Sequence, residues 1–194
     1  MTPRRPTLKD WEKKRDIKRR YDATAHIYDV RYEEEQIAKY EATFRILKKE
    51  ELGLISDVGC GTGLLFSYIA DRAEATVGID ISRMTLLKAK ERARSSPNVH
   101  LICADADSMP AKSGIFNHVF AMTLIQNSPN PVQTLNEINR ISADDGVMVV
   151  TGLKSIFSKN DFEDLLRDAG LRVAVLMDED SLKCYVAICL RIHH

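Results

Sequence analysis

Short apolar runs alternate with segments of helical periodicity from residue 54 to residue 190, and this alternation limits the possible fold more than any other feature. The runs that predict strands are 54–58, 75–79, 98–103, 117–122, 147–152, 171–177 and 183–190. The segments that predict helices are 64–72, 82–95, 131–142 and 159–169. Because near-continuous apolar strands joined by helices form parallel sheets covered on both faces, we expect an α/β fold with helices on both faces. The last two runs are too close together for a parallel crossover, so they should pair antiparallel.

Three predicted helices are preceded by residues suited to an N-cap, whose side-chain oxygen accepts a hydrogen bond from a first-turn amide. These residues are Ser82, Asn130 and Ser158. Pro131 then occupies the first helical position, where a missing N–H costs nothing. Ser158 and Asp161 resemble a capping box. Residues 144–146, Asp-Asp-Gly, predict a turn into the strand that follows.

Residues 1–50 differ from the rest of the chain because they are rich in charge and lack strand-like runs. We expect them to form a basic extension of one or two helices that packs over a core of residues 51–194. The length of 194 residues suits one domain overall. Residues 1–20 hold nine Lys or Arg and three Asp or Glu, a net charge of +6, which the remaining residues balance with −6.

Composition excludes several classes of protein. The 28 basic and 28 acidic residues balance, so no overall field marks a nucleic-acid binder. No stretch approaches the roughly 20 apolar residues of a membrane span, and no apolar signal-peptide core follows the N-terminus. The four cysteines form no CxxC pair, which predicts a cytoplasmic protein without disulfides or a structural metal. The closing His193-His194 is too short to indicate a metal site.

A glycine-rich corner, DVGCGTG at residues 57–63, follows the first predicted strand. In an open α/β sheet, ligands bind at the carboxyl ends of the strands, and glycines there let a ligand approach the main chain. The corner lacks the GxGxxG of a nicotinamide site and the GK[ST] of a P-loop. Because Asp57 would repel a pyrophosphate, the corner favours a cationic ligand. A tight turn without a ligand is the alternative.

Two acids stand where a nucleoside would need them. Asp80 ends the second strand, 23 residues after Asp57, and a carboxylate there can accept from both hydroxyls of a ribose. Asp105 follows the third strand and can accept from the exocyclic amine of a purine. The alternatives are a surface acid before a helix for Asp80 and a solvated loop acid for Asp105.

These pieces together resemble the class I S-adenosylmethionine (SAM)-dependent methyltransferases. The matching motifs are DVGCGTG, VGIDIS (77–82), CADADSMP (103–110), NHVFAMTLIQNSPNP (117–131) and the tail from ISADDGVMVVTG onward. The resemblance covers about residues 50–190 and is nearest to the subgroup of ubiquinone-biosynthesis methyltransferases, also called methyltransferase type 11. It implies a Rossmann-like sheet of seven strands, mostly parallel, with the last strand antiparallel.

The resemblance also implies a cofactor site for SAM, with S-adenosylhomocysteine as product and without a metal. The expected cofactor-binding residues are Asp57, Gly59, Cys60, Gly61, Thr62, Gly63, Asp80, Ile81, Asp105, Ala106, Thr123 and Leu124. The methionine end would lie near the glycine corner and the ribose at Asp80. Ile81 would flank the adenine, and Asp105 and the Ala106 amide would bind its edge. Thr123 and Leu124 would flank the reactive methyl group.

The residues on the acceptor side are less defined by the sequence. Tyr21 and Tyr28 belong to a YD…A…YD lead-in that resembles the family's cover over the cofactor, and amphipathic helix packing is the alternative. Gln126 and Asn127 follow the fourth strand and can orient an acceptor, or they can cap the next helix. We expect His118 to be a histidine of the sheet rather than a catalytic one.

The sequence therefore predicts an enzyme that transfers a methyl group from SAM to an acceptor that the sequence does not identify, a small molecule, RNA or protein. The alternative is a non-catalytic protein of the same fold that binds RNA or a partner protein. The basic stretch at residues 4–20 can contact RNA phosphates, or it can be a solvated terminus.

Overall fold

The computed structural model describes residues 7–47 and 51–192. Its strands are β1 Gly53–Val58, β2 Ala73–Asp80, β3 Val99–Cys103, β4 Phe116–Ala121, β5 Ser142–Leu153, β6 Leu171–Met177 and β7 Cys184–Arg191. Its α-helices are α1 Leu8–Thr24, α2 Tyr28–Leu47, α3 Phe66–Ile69, α4 Arg83–Arg92, α5 Pro131–Ile141 and α6 Lys159–Asp168. Short 3₁₀ turns cover Ala70–Arg72, Ala93–Ser95 and Ile125–Asn127.

The seven strands form one sheet in the order β3-β2-β1-β4-β5-β7-β6. Strand β7 runs antiparallel to both of its neighbours, and the other adjacent strands pair parallel. This confirms the predicted α/β fold and the antiparallel last strand. The strand order reverses between β1 and β4, and such a switch point opens a crevice at the carboxyl ends of the strands.

Each face of the sheet has its own apolar core, because successive strand residues point to opposite faces. On β4, Val119 packs with α5 and α6 residues, whereas the next residue, Phe120, packs with residues of α2, α3 and α4. Both side chains are fully buried. Helices therefore cover both faces, as the near-continuous apolar strands predict.

The N-caps are confirmed. The side chains of Ser82, Asn130 and Ser158 accept hydrogen bonds from the amides of Thr85, Gln133 and Asp161. Each helix begins at the next residue.

Two local predictions are corrected. The helix expected at 64–72 is one α-helical turn from Phe66 to Ile69 followed by a 3₁₀ turn, because the amides of Gly63 and Phe66 close reverse turns onto Cys60 and Gly63. The turn expected at 144–146 lies inside β5. There, Ser142 pairs with Phe116 of β4, and Val147 pairs with His118 of β4. Five residues of β5 therefore span the same distance as two residues of β4, and β5 bulges out between the two pairs.

The predicted N-terminal extension forms two helices within its described part. A capping box between Thr7 and Asp10 starts α1, and α2 packs its buried residues against the face of the sheet that carries Phe120. Residues 1–6, which include the start of the predicted basic stretch, lie outside the described residues, as do residues 48–50 and His193-His194.

Candidate functional site

A groove runs along the carboxyl ends of β1, β2, β3 and β4 beneath α1 and the start of α2. It brings together eight of the residues expected to bind the cofactor: Gly59, Gly61, Asp80, Ile81, Asp105, Ala106, Thr123 and Leu124. A smaller adjoining cavity is lined by Asp57, Cys60 and Thr62. Gly63 lies behind the groove and does not line it.

Asp57 is a buried acid with an unpaired oxygen at the glycine corner. Its side chain lies at the end of β1, and its Oδ2 atom has no hydrogen-bond partner. Burial, followed by the nearby charge of Asp80, raises the pKa of Asp57 to about 8. A buried carboxylate of this kind is satisfied by a cation with N–H donors, which is what the ammonium group of SAM offers.

The glycines of the corner have different roles. Gly59, Gly61 and Gly63 all have positive φ, a conformation that glycine adopts without steric cost. A Cβ atom built on Gly63 would lie 2.5 Å from Phe66, so Gly63 is required for packing. A Cβ atom on Gly61 would meet nothing within 4 Å, because this residue faces the groove. The missing side chain of Gly61 therefore leaves space in the groove for a ligand. The missing side chain of Gly63 leaves space for Phe66 to pack.

Asp80 ties the end of β2 to the glycine corner. Its Oδ2 accepts from the amide of Gly61 at 2.9 Å, and its Oδ1 accepts from the Ser82 amide at 2.7 Å and the Thr85 hydroxyl at 3.2 Å. Burial raises the pKa of Asp80 despite these bonds. The carboxylate also lines the groove, so the alternative of a simple surface acid does not describe it.

Asp105 contacts a lysine that the sequence analysis did not select. The Nζ atom of Lys14 on α1 lies 2.6 Å from Asp105 and 2.7 Å from Asp107. Lys14 is buried even though it belongs to the basic N-terminal stretch. Burial lowers the pKa of Lys14, but the hydrogen bonds and charges of the two carboxylates raise it by more, so its pKa lies above the ordinary value. The ammonium group therefore stays charged. This ion pair holds α1 over the part of the groove expected to take adenine.

Thr123 is the centre of a polar network behind the groove. It has a φ of +61°, which is unusual for a residue other than glycine. Its hydroxyl lies 3.0 Å from the Nζ atom of Lys39 and 3.2 Å from the Nε2 atom of Gln36. Lys39 also pairs with Glu35 at 2.7 Å. Backbone strain of this kind clusters at functional sites, which marks Thr123 as a candidate.

Sequence reasoning missed Gln36 and Lys39, both of which are almost fully buried. They lie in a charged run that resembles a solvated helix face. Gln36, Lys39 and Tyr40 stand at positions i, i+3 and i+4, which share one side of a helix. This spacing could have indicated that Gln36 and Lys39 are buried together with Tyr40.

A second cavity, of about 620 Å³, opens beside the groove. Tyr21, Tyr28, Thr123 and Asn127 line both spaces. Tyr28 accepts a hydrogen bond from Gln36 at 3.2 Å, and the amide of Asn127 donates to the Tyr21 hydroxyl at 3.1 Å. The two tyrosines therefore line both cavities as well as packing against neighbouring residues.

Gln126 lines only the second cavity, and both polar atoms of its amide are buried without a partner. Neither Gln126 nor Asn127 caps α5, because Asn130 does so. The alternative that assigned these two amides to helix capping is therefore wrong.

The other candidates have structural contacts. The Nδ1 atom of His118 lies 2.8 Å from the Leu52 carbonyl oxygen, within the sheet and away from the groove. The Thr62 hydroxyl donates to Asp29 at 2.5 Å and so links the glycine corner to α2. Burial raises the pKa of the Cys60 thiol well above its ordinary value, so this thiol is not a ready nucleophile.

Metal sites and membrane spans are two further possibilities for a chain of this kind. Within residues 7–47 and 51–192, no three His, Cys, Asp or Glu side chains are grouped closely enough to hold a metal ion. Nor does any helix in that part of the chain have the length and apolar character needed to span a bilayer.

The chain resembles known proteins in both sequence and fold. A methyltransferase domain model matches residues 56–150. The malonyl-[acyl-carrier protein] O-methyltransferase of Marinomonas sp. (strain MWYL1) is 27% identical over 150 residues, covering 76% of this chain and 55% of that protein. The chain thus spans about half the length of this curated relative.

Solved structures agree in fold. A SAM-dependent methyltransferase from Leishmania major superposes with a TM-score of 0.78 at 13% identity, covering 96% of this chain and 87% of that one. A chain in the complex of the Haloferax volcanii Trm112 methyltransferase activator with a methyltransferase gives a TM-score of 0.72 at 19% identity, covering 89% and 98%. At these identities the likeness concerns the fold alone. With the domain match, the relatives and the seven-stranded sheet combined, the chain belongs to the class I SAM-dependent methyltransferase family.

Proposed function

We propose that this protein transfers a methyl group from SAM to a small-molecule acceptor. The observation that carries the proposal is the buried, unpaired oxygen of Asp57 at the glycine corner, at one end of a groove that also presents Asp80 and Asp105. Together they supply an anion for an ammonium group, an acceptor for a ribose diol and an acceptor for an adenine amine.

In this proposal each part of SAM has its own binding residues. Asp57 and the main chain of Gly59 to Gly63 hold the methionine end, with Cys60 and Thr62 in the same turn. Asp80 holds the ribose, while Ile81, Asp105 and Ala106 border the adenine. When bound, SAM supplies an already activated methyl group, so the protein chiefly has to position two partners and exclude water.

Thr123 and Leu124 would then border the reacting centre. Tyr21, Tyr28, Gln126 and Asn127 remain the candidates for contact with the acceptor. Burial raises the pKa of both Tyr21 and Tyr28 above the ordinary value, so both hydroxyls stay protonated and act as hydrogen-bond donors rather than bases. Their proposed role is to position the acceptor.

A small molecule is favoured over RNA by the contacts of the basic helix. Lys14 is buried against Asp105 and Asp107, and Lys18 pairs with Asp22 at 2.5 Å. Cations engaged in this way are not free to follow a phosphate backbone. The four cysteines are free thiols, which supports the proposed cytoplasmic location.

A second candidate function is non-catalytic binding of a partner protein. It is favoured by the likeness to a chain from the Trm112 activator complex. Under this alternative the protein binds SAM without transferring its methyl group, or transfers it only when a partner is present.

Transfer of label from [methyl-³H]SAM tests the proposal. The protein is incubated with fractionated cell extract, and label is counted in small molecules, RNA and protein. We expect label in the small-molecule fraction, and less of it with Asp57→Asn. Label confined to RNA or protein would contradict the small-molecule acceptor, and SAM binding without any transfer would favour the second candidate.

A further inference from the structure

The second cavity, which Tyr21, Tyr28, Thr123 and Asn127 separate from the groove, has the size of a small-molecule site. Its volume of about 620 Å³ falls within the roughly 300–1,000 Å³ of typical ligand pockets. An occupant would meet the proposed reacting centre at Thr123. We propose that this cavity binds a small carboxylate with a planar apolar body, and that a carboxylate oxygen receives the methyl group. This inference rests on the methyl transfer proposed above.

The charge of the cavity favours an anion. Its lining includes four cationic side chains and one acidic side chain, Glu35. The cations are Arg20, Arg31, Lys154 and Lys183. Lys154 pairs with Asp178 at 2.8 Å, and Lys183 lies 3.4 Å from Glu35.

The two arginines have no acidic partner among the described residues. Arg20 donates to the neutral amide of Asn127 at 2.8 Å, and no ion pair involves Arg31 in that part of the chain. Guanidinium groups are well suited to carboxylates because they can donate two parallel hydrogen bonds. Arg20 and Arg31 are therefore the proposed anchors for an anionic acceptor.

The tyrosines give the cavity flat walls. The rings of Tyr21 and Tyr28 have centroids 6.1 Å apart, and those of Tyr28 and Tyr32 are 5.0 Å apart. All three side chains line the cavity. Aromatic walls contact planar apolar molecules over large areas and add favourable ring geometry. The acceptor is thus expected to carry a planar apolar body beside its charged group.

A base that could remove a proton from the acceptor is not found among these walls. The hydroxyls of Tyr21 and Tyr28 stay protonated, as described above. Burial raises the pKa of Glu35, but hydrogen bonds from Lys39 and Lys183 lower it by more, so its pKa lies below the ordinary value. A poor base does not deprotonate an amine or alcohol. An acceptor that is already ionised at neutral pH, such as a carboxylate, needs no such help.

Gln126 offers a polar contact for the same group. The Nε2 and Oε1 atoms of its amide are buried in the cavity wall without partners. A buried amide left unpaired is costly, and a carboxylate oxygen would satisfy its N–H donor.

The reaction balances without a proton transfer. A lone pair of the carboxylate oxygen forms the bond to the methyl carbon, while the pair of the breaking carbon–sulfur bond stays on sulfur. The products are a neutral methyl ester and a neutral thioether. Because an anion and a cation become two neutral molecules, a site that excludes water favours the step.

A binding experiment tests the preference for an anion without relying on catalysis. The probes are 2-naphthoate and the neutral isostere 2-naphthamide, titrated into the protein in the presence of S-adenosylhomocysteine. We expect naphthoate to bind at least about tenfold more tightly than naphthamide, since two charge-assisted contacts distinguish them. The preference should vanish in Arg20→Gln/Arg31→Gln and persist in the control Arg167→Gln, whose side chain pairs with Asp164 on the exposed face of α6. Equal affinities for the two probes would overturn the proposal.

A second measurement tests the atom that is methylated. Labelled small molecules formed from [methyl-³H]SAM are treated with mild alkali, which releases methanol from methyl esters and leaves N-methyl, C-methyl and ether groups intact. Release of the label as volatile methanol is the expected result. Alkali-stable label would overturn the carboxylate while leaving the proposed methyl transfer in place. Failure to bind SAM would instead contradict the proposed function itself.

Discussion

Two glycines of the corner are expected to have different roles, Gly63 in stability and Gly61 in ligand binding. We expect Gly63→Ala to destabilise the protein strongly, because its Cβ atom would lie 2.5 Å from Phe66 and 3.3 Å from the backbone of Ala89. Gly61→Ala should cost only the strain of a left-handed residue, about 1–2 kcal/mol. Yet it should abolish SAM binding, because its methyl group would enter the groove. Thermal unfolding and calorimetry on the two variants check this contrast, and retained SAM binding in Gly61→Ala would refute the assignment.

Asp80 provides a second test at the scale of the residue. We expect Asp80→Asn to weaken SAM binding by at least about tenfold, because a charged acceptor contributes about 1.5–3 kcal/mol to a hydrogen bond. The matched control is Asp164→Asn, an exposed acid on α6 that pairs with Arg167. Equal SAM affinity in Asp80→Asn and the wild type, measured by calorimetry, would exclude the ribose role.

If Asp57 binds the ammonium group of SAM as proposed, SAM affinity should depend on pH. The pKa of Asp57, at about 8, lies above its unfolded value of 3.8, so ionisation of this buried acid makes folding less favourable as pH rises from about 4 to about 8. A bound ammonium group reverses this preference, because it needs the ionised carboxylate. SAM affinity should therefore rise from pH 6 to pH 7.5, by up to about tenfold for each pH unit, with release of a proton.

Calorimetry in buffers of different ionisation enthalpy measures that proton directly. In Asp57→Asn both the proton release and the rise in affinity should disappear. A SAM affinity that is independent of pH in the wild type would show that the Asp57 carboxylate does not face the ammonium group.

At the scale of the element, α1 acts as a cover over the groove. The space left beneath it is only about 90 Å³, well below the roughly 300 Å³ of typical ligand pockets. Binding of SAM in the proposed groove would therefore require α1 to move, and the Lys14 ion pair with Asp105 and Asp107 would have to break.

Replacing this lysine tests the cover. Lys14→Met leaves two carboxylates without their cation, which should cost about 3 kcal/mol in the docking of α1. We expect faster hydrogen exchange in the amides of Leu8–Thr24, with β4 and β5 unchanged. The matched control is Lys9→Met, an exposed lysine on the same helix. Equal protection of α1 in wild type and Lys14→Met would show that the ion pair does not hold the cover.

For the whole molecule, the sequence predicted the sheet well because local patterns encode it. Each apolar run became a strand, and each N-cap residue began a helix, since periodicity and capping act over a few residues. The bulge at 144–146 was missed because it arises from pairing of Ser142 with Phe116, which lies far away in the chain.

The site was predictable where its residues follow strands. Asp80 and Asp105 meet at one sheet edge because the carboxyl ends of parallel strands share that edge. Lys14, Gln36 and Lys39 were not predicted. Only the packing of α1 over the sheet brings Lys14 to the groove, and only the packing of α2 brings Gln36 and Lys39 to the Thr123 hydroxyl behind it. Helices that pack in this way bury polar residues that look solvated in the sequence.

Binding of SAM in this groove underlies every role proposed for its residues. Titration calorimetry of SAM and S-adenosylhomocysteine into the wild-type protein at pH 7.5 tests it most directly. We predict saturable binding of both molecules at one site per chain, each competing with the other. No binding heat from either molecule, with a protein that unfolds cooperatively, would contradict the account.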